Sequence, residues 1–240
     1  MNNQIKRRIK LAASMICANP GILKNQIAEL DSAGVDFLHI DIMDGHFVPN
    51  MTGGADMANY IRSATETVCD YHFMVMNPAE QIQLFKLNKG DRVSFHIECK
   101  CDTPLIIRQI KQMGAKAGLA MNPGTPITAV VPYLHEIDFI LLLIVNPGFR
   151  GQPIIPRTLV KLSELRKELE KSRLQNVEIL ADGAVTTENM LQIVEAGADN
   201  LVCGPFTCFN NALGGIKPTL QIVKGMLHDA GYHVDNRRWV

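Results

Sequence analysis

Eight times along the chain a short apolar run is followed by a longer amphipathic segment, and this alternation restricts the fold more than any single motif. The apolar runs lie at 10–16, 35–42, 69–75, 91–97, 115–121, 137–145, 177–181 and 199–203. Helical patterns follow at about 20–32, 54–65, 78–88, 103–113, 126–133, 156–171, 186–196 and 214–230. Strands that always hand over to helices must run parallel, because each return needs a crossover. Eight such units predict a closed (β/α)8 TIM barrel, a fold that takes up about 250 residues as one domain. The expected organisation is one barrel over 1–240 with a short polar tail at about 231–240. A doubly wound open sheet is the alternative. It would show fewer units and a glycine-rich turn after the first strand, and the turn after Ser14 has none.

Local signals agree with these boundaries. Asn19-Pro20, Asn77-Pro78, Thr103-Pro104 and Thr125-Pro126 each put a capping side chain before a proline that suits the first helical position. Gly34, Gly90, Gly114 and Gly197 stand where helices should stop.

Composition removes several classes of function. Lysine plus arginine number 24 and aspartate plus glutamate 24, so bulk charge offers nothing to nucleic acid or to an anionic membrane. No apolar stretch approaches the ~20 residues that span a bilayer. The N-terminal MNNQIKRRIKLAASMI has too short an apolar run for an export signal and reads as a first strand, so a cytoplasmic location is expected. The 6 cysteines include no CxxC pair, and Cys99-Lys100-Cys101 lacks a second pair to complete a metal site; free thiols are expected.

In a barrel of this kind the chemistry sits at the C-terminal ends of the strands. In HIDIMDGHFVPN (39–50), strand alternation puts His39, Asp41 and Met43 on one face and Ile40 and Ile42 on the other. His72 and Met74 repeat the arrangement on the next strand, and Asp182 ends the seventh. A lone histidine would be read as a hydrogen-bonded core residue. Two histidines and two aspartates at three strand ends, His39, Asp41, His72 and Asp182, have the composition of a divalent-metal site. His96 and Glu98 end a further strand and suit an orienting role, while His46, His135, His228 and His233 lie in loops, a helix end and the tail.

The last three strands run into glycine turns. Asn146-Pro147-Gly148-Phe149-Arg150-Gly151, Gly183-Ala184 and Gly204-Pro205 offer backbone N–H groups of the kind that bind anions. This barrel often holds a phosphate after strands seven and eight. Gly148, Phe149, Arg150, Gly151, Gly183, Ala184 and Gly204 are the candidate phosphate cradle.

LHIDIMDGHFVPN, YHFMV, GLAMNPGTP, VNPGFRGQ and ADGAVT, in that order and spacing, resemble the ribulose-phosphate 3-epimerase family over about residues 10–230. The resemblance implies a (β/α)8 isomerase of carbohydrate metabolism, in the pentose phosphate pathway. It would move a proton at carbon 3 of a phosphorylated ketose, interconverting ribulose 5-phosphate and xylulose 5-phosphate. It implies one divalent ion (zinc, iron(II), manganese or cobalt) on His39, Asp41, His72 and Asp182, with Asp41 and Asp182 as the acid/base pair. Ser14 and His72 would touch substrate, Met43, Met74 and Met121 would cap the reacting carbons, and the protein would be a homo-oligomer.

The chain also departs from the family pattern. Arg150 replaces a small residue in the GFGGQ turn, Ala184 replaces a glycine, and Pro205 stands where a serine is common. Leu143 occupies a frequent methionine position and Ala13 replaces a proline. Cys17 and Gln152-Pro153 resemble the allulose-6-phosphate 3-epimerase branch, so a six-carbon ketose phosphate is the alternative substrate. A barrel lyase or decarboxylase would want a strand-end lysine, which the candidate ends lack; a non-catalytic sugar-phosphate-binding barrel would not need both aspartates.

Overall fold

Residues 6–235 are described by the structure, a computed structural model. Eight parallel strands close on themselves in chain order. They are β1 (Lys10–Ser14), β2 (Phe37–Met43), β3 (Val68–Met74), β4 (Arg92–His96), β5 (Lys116–Met121), β6 (Phe139–Leu143), β7 (Glu178–Asp182) and β8 (Asn200–Cys203). Helices α1 (Leu23–Ala33), α2 (Gly54–Ser63), α3 (Pro78–Gln81), α4 (Thr103–Gln112), α5 (Arg157–Lys171), α6 (Met190–Ala196) and α7 (Ile216–Asp229) lie between and after them. Among the described residues no helix is long and apolar enough to cross a membrane.

Two of the expected helices are reduced, each for a local reason. The 126–133 segment forms two 3-10 turns, Ile127–Ala129 and Val131–Tyr133, because Pro132 has no N–H to continue a helix. The 78–88 segment is one α turn followed by the 3-10 turn Ile82–Leu84. Asn59 of α2 stops it there, accepting from Lys86 N (2.7 Å) and donating to the Leu84 carbonyl (3.3 Å).

Caps follow the same logic with some shifts. Asn19 caps as expected, its Oδ1 accepting from Gly21 N at 2.9 Å. At α4 the cap is Asp102, one residue before Thr103, accepting from Leu105 N at 3.0 Å. The Thr125 hydroxyl is used elsewhere, donating to Glu98, and Asn77 makes no side-chain cap. Gly34 closes α1 in the left-handed region at φ 64°, which a side chain would make costly.

The expected polar tail is in part structured. Tyr232–His233 pairs in parallel with a short strand at Lys6–Arg8, Tyr232 and Val234 are buried, and Arg8 bridges Asp36 (2.8 Å) and Asp235 (2.6 Å). Residues 236–240 of that tail lie outside the described residues.

Strand alternation divides the core. Outward-facing Leu38, Ile40, Ile42, Tyr71, Phe73, Val93, Phe95, Leu119 and Ile179 pack with the helices in one large cluster. Burying each such side chain contributes roughly 1.5–3 kcal/mol. The barrel interior is smaller and more polar. Its lower layer centres on Arg92, whose guanidinium lies between the Phe37 and Phe139 rings at 4.3 and 4.0 Å. Arg92 also binds Asp70 (3.2 Å) and Glu178 (2.7 Å). Gly118 makes room for this layer, since a Cβ there would lie 2.4 Å from the Phe139 ring.

Candidate active site

Register sets the upper layer. Asp41 pairs with His72, Met43 with Met74, Ser14 with His39 and Leu143 with Asp182. One ligand atom each from His39, Asp41, His72 and Asp182 lies within 4.8 Å of all the others. His39 Nε2 is 3.3 Å from Asp41 Oδ1 and 3.7 Å from Asp182 Oδ2. His72 Nδ1 is 3.3 and 3.6 Å from the same two oxygens. Ligand atoms sharing an ion at roughly 2.0–2.2 Å would be spaced about 3–4 Å apart, much as these are.

Two observations show that the residues fit a cation. His39 Nε2 is buried and has no hydrogen-bond partner, although it faces two carboxylates. Such an orphaned acceptor is costly unless something positive meets it. The charges agree. Burial opposes a proton on His39, yet the Asp41 charge and the Asp182 and Asp70 carboxylates beside the ring raise its pKa well above the ordinary value. Asp41 is held well below the usual carboxylate range against its own burial, chiefly by His39. The cluster wants positive charge, and a divalent ion supplies more than a proton does.

Each histidine is held from behind. His39 Nδ1 is 2.8 Å from Asp70 Oδ2, and Asp70 in turn is braced by Arg92. Burial would raise the Asp70 carboxyl, but Arg92 overrides it and keeps it low. His72 Nε2 is 3.0 Å from His96 Nε2, and His96 Nδ1 is 2.9 Å from Glu98 Oε2. Sequence reasoning missed Asp70 and Arg92. Strand alternation puts Asp70 on the His72 face, but nothing marked it as more than a strand residue beside the candidates.

The loop after β2 explains the rest of its motif. Phe47 packs against His96 with ring centroids 4.6 Å apart and planes tilted by 44°. Val48 packs with Met43 and Met74, and Ile16 joins that small cluster. Asp44 accepts from the N–H groups of His46, Phe47 and Met76 at 2.8–2.9 Å, fixing this loop to the one after β3.

One cleft takes in most of the remaining candidates. Ser14, Asp41, Met43, Met74 and Asp182 line it, together with Gly148, Phe149, Arg150, Gly151, Gly183, Ala184 and Gly204. Ser14 Oγ donates to Asp41 Oδ2 at 3.3 Å. Arg150 is exposed and reaches across to the Ile16 carbonyl, donating from Nη1 at 3.3 Å. Gly183 (φ 102°) must be glycine, because a Cβ would lie 2.4 Å from Val145 Cγ2. Ala184 holds φ 48° with its carbonyl bound by the Asn189 amide at 2.8 Å.

Two of the expected site residues are not on the cleft wall. Met121 lies with Ala117 and Leu119 on the outward face of β5, fully buried in the helix-facing core, and does not line the cleft. Leu143 occupies the third apolar place on the cleft wall. His72, offered as a substrate contact, is fully buried beneath the cleft and is not on its surface. All six cysteines are free, as expected.

Comparison with known proteins gives the same reading. The ribulose-phosphate 3 epimerase family model matches residues 10–207. The chain is 37% identical over 223 residues to the chloroplastic ribulose-5-phosphate-3-epimerase of Arabidopsis thaliana, covering 92% of this chain and 77% of that one. It is 37% identical over 196 residues to the ribulose-phosphate 3-epimerase of Bacillus subtilis, covering 82% and 90%. Among solved structures, KGPDC from Streptococcus mutans superposes with TM-score 0.61 at 10% identity, over 91% of this chain and 99% of that one. At that identity the likeness concerns the barrel alone. From its motifs, its site and its relatives, this chain belongs to the ribulose-phosphate 3-epimerase family and is an isomerase acting on carbohydrates.

Proposed function

We propose that the protein is a metal-dependent ketose-phosphate 3-epimerase that interconverts D-ribulose 5-phosphate and D-xylulose 5-phosphate. The observation that carries this reading is the pair of carboxylates, Asp41 on β2 and Asp182 on β7, meeting over two histidines at the floor of a glycine-walled cleft. His39, Asp41, His72 and Asp182 would hold a divalent ion, which would supply Lewis-acid charge for the electron pair left when carbon 3 loses its proton. Zinc, iron(II), manganese and cobalt all suit such a mixed nitrogen and oxygen set.

Asp41 and Asp182 divide the proton transfers. One carboxylate takes the proton from carbon 3, and the C–H electron pair moves toward the neighbouring carbonyl to give an enediolate. The other returns a proton to the opposite face, which inverts the carbon. Ser14 steadies Asp41 through its hydrogen bond. Met43, Met74 and Leu143 form an apolar wall that keeps water from the reacting carbons. The glycine turns and Arg150 would hold the phosphate at the far side of the cleft.

A six-carbon ketose phosphate is the second reading, favoured by Cys17 and Gln152, which both line the cleft. Turnover of the purified protein on five- and six-carbon ketose phosphates, with and without a chelator, tests both. The first reading expects the five-carbon substrate to be preferred, near one ion per chain, and loss of activity on chelation. Preference for the six-carbon sugar would favour the second, and full activity without an ion would remove the metal from either.

A further inference from the structure

We propose that His96 and Glu98 are positioning residues that fix the tautomer and ring orientation of His72, so that its Nδ1 lone pair faces the candidate metal position. This inference rests on the metal reading above. Its geometry is a directed chain of hydrogen bonds that starts in the loop after β5 and ends at the cluster.

Glu98 is the anchored end. Its Oε1 accepts from the Asn122 backbone N–H at 2.8 Å and from the Thr125 hydroxyl, which leaves Oε2 for His96 Nδ1 at 2.9 Å. A carboxylate only accepts, so His96 carries its hydrogen on Nδ1. The two Nε2 atoms of His96 and His72 stand 3.0 Å apart, a separation that holds one hydrogen. Both rings are fully buried. With its hydrogen on Nδ1 given to Glu98, His96 offers Nε2 as the acceptor, and the shared hydrogen belongs to His72 Nε2. That leaves the lone pair of His72 on Nδ1, the atom that faces Asp41 and Asp182 at 3.3 and 3.6 Å and that a metal ligand must keep bare.

Packing fixes the rings as well as the hydrogens. His72 and His96 are stacked with centroids 5.1 Å apart and planes at 26°. Phe47 also packs against His96, at 4.6 Å and a 44° tilt. The two ligand histidines are thus oriented differently. His39 donates directly to the carboxylate of Asp70, whereas His72 reaches Glu98 only through a second imidazole. Outer partners of this kind usually govern metal affinity by about 10–100-fold.

Cobalt(II) titration with a competing chelator tests the relay, read by the visible spectrum of the bound ion. Long-range ¹H–¹⁵N spectra of the same proteins report which nitrogen of His72 carries hydrogen. His96→Leu, of similar bulk but with no acceptor, should bind cobalt about 10–100-fold more weakly. It should also lose the single Nε2–H form of His72. His96→Gln, which returns an acceptor near the Nε2 position, should recover part of the affinity. If His96→Leu fails to fold, Glu98→Gln at the more exposed strand end takes its place, with weaker binding again expected. Unchanged affinity together with an unchanged His72 tautomer in whichever variant folds would overturn the relay. Wild-type protein that takes up no cobalt would instead overturn the metal reading on which it rests.

Discussion

Asn50 and Gly148 are 98 positions apart in the chain, and the Asn50 side-chain amide donates to the Gly148 carbonyl at 2.6 Å. This bond ties the loop after β2, which leaves Asp41, to the glycine turn after β6. Gly148 itself has φ 111°, and a Cβ there would come within 3.3 Å of Val48. Two of the family's motifs, HIDIMDGHFVPN and VNPGFRGQ, are therefore in contact. A neutral hydrogen bond contributes about 0.5–1.5 kcal/mol, so Asn50→Ala should lower kcat/KM roughly 2–12-fold. Asn50→Asp, which replaces the donor by an acceptor, should do worse. Steady-state kinetics beside a thermal melt checks this, and an unaltered kcat/KM in both variants would dismiss the link.

Asp41→Asn and Asp182→Asn should each reduce turnover by about 10²–10⁴. Both residues also belong to the candidate ion site, so ion content must be measured on each variant. In heavy water the wild-type product should carry deuterium at carbon 3. Epimerisation with no solvent deuterium in the product would argue against two exchanging carboxylates.

Arg150 faces the glycine turns in a cradle where Pro205 has no N–H to offer. If Arg150 makes good that missing donor, Arg150→Gly should raise KM for the phosphorylated sugar and leave kcat nearly unchanged, because phosphate lies away from carbon 3. The effect should shrink with added salt. An unchanged KM at low salt would show that Arg150 serves only its contact with Ile16.

The barrel and most of its site were legible because they rest on alternation, which a sequence displays directly. His39, Asp41 and Met43 share a face by parity alone, and each lies in the upper layer as that parity requires. Met121 was assigned by family resemblance and not by alternation. Both faces of β5 are apolar or small, so the sequence does not reveal which one looks inward. Gly118 and Ala120 turn out to be the interior residues, and Met121 points at the helices. Asp70, Arg92 and Asn50 were illegible as site residues because their meaning lies in partners far away in the sequence. Pro132 was visible all along, and its missing N–H accounts for the broken helix after β5.

Glu178 gives the fold a pH dependence. Burial would raise its carboxyl, but Arg92 and then Lys10 and Asn200 bring it down from 4.5 to about 2. The folded chain holds this proton less tightly than the unfolded one. The stabilisation is therefore complete above about pH 4.5 and is lost as pH falls toward 2. Glu178→Gln should be less stable than wild type at pH 7, by roughly 1–3 kcal/mol. Urea midpoints of the two proteins should converge as pH drops through that window. A constant gap from pH 7 to pH 3 would show that the charge is not what matters.

The missing side chain at Gly118 has a reach that its position conceals. A methyl group there must push the Phe139 ring, Phe139 covers Arg92, Arg92 braces Asp70, and Asp70 orients His39. For anyone redesigning this barrel, the end remote from the cleft is not neutral ground. Gly118→Ala should surface as weakened ion binding as well as a lower melting temperature, and a screen that scores stability alone would file it under the wrong heading.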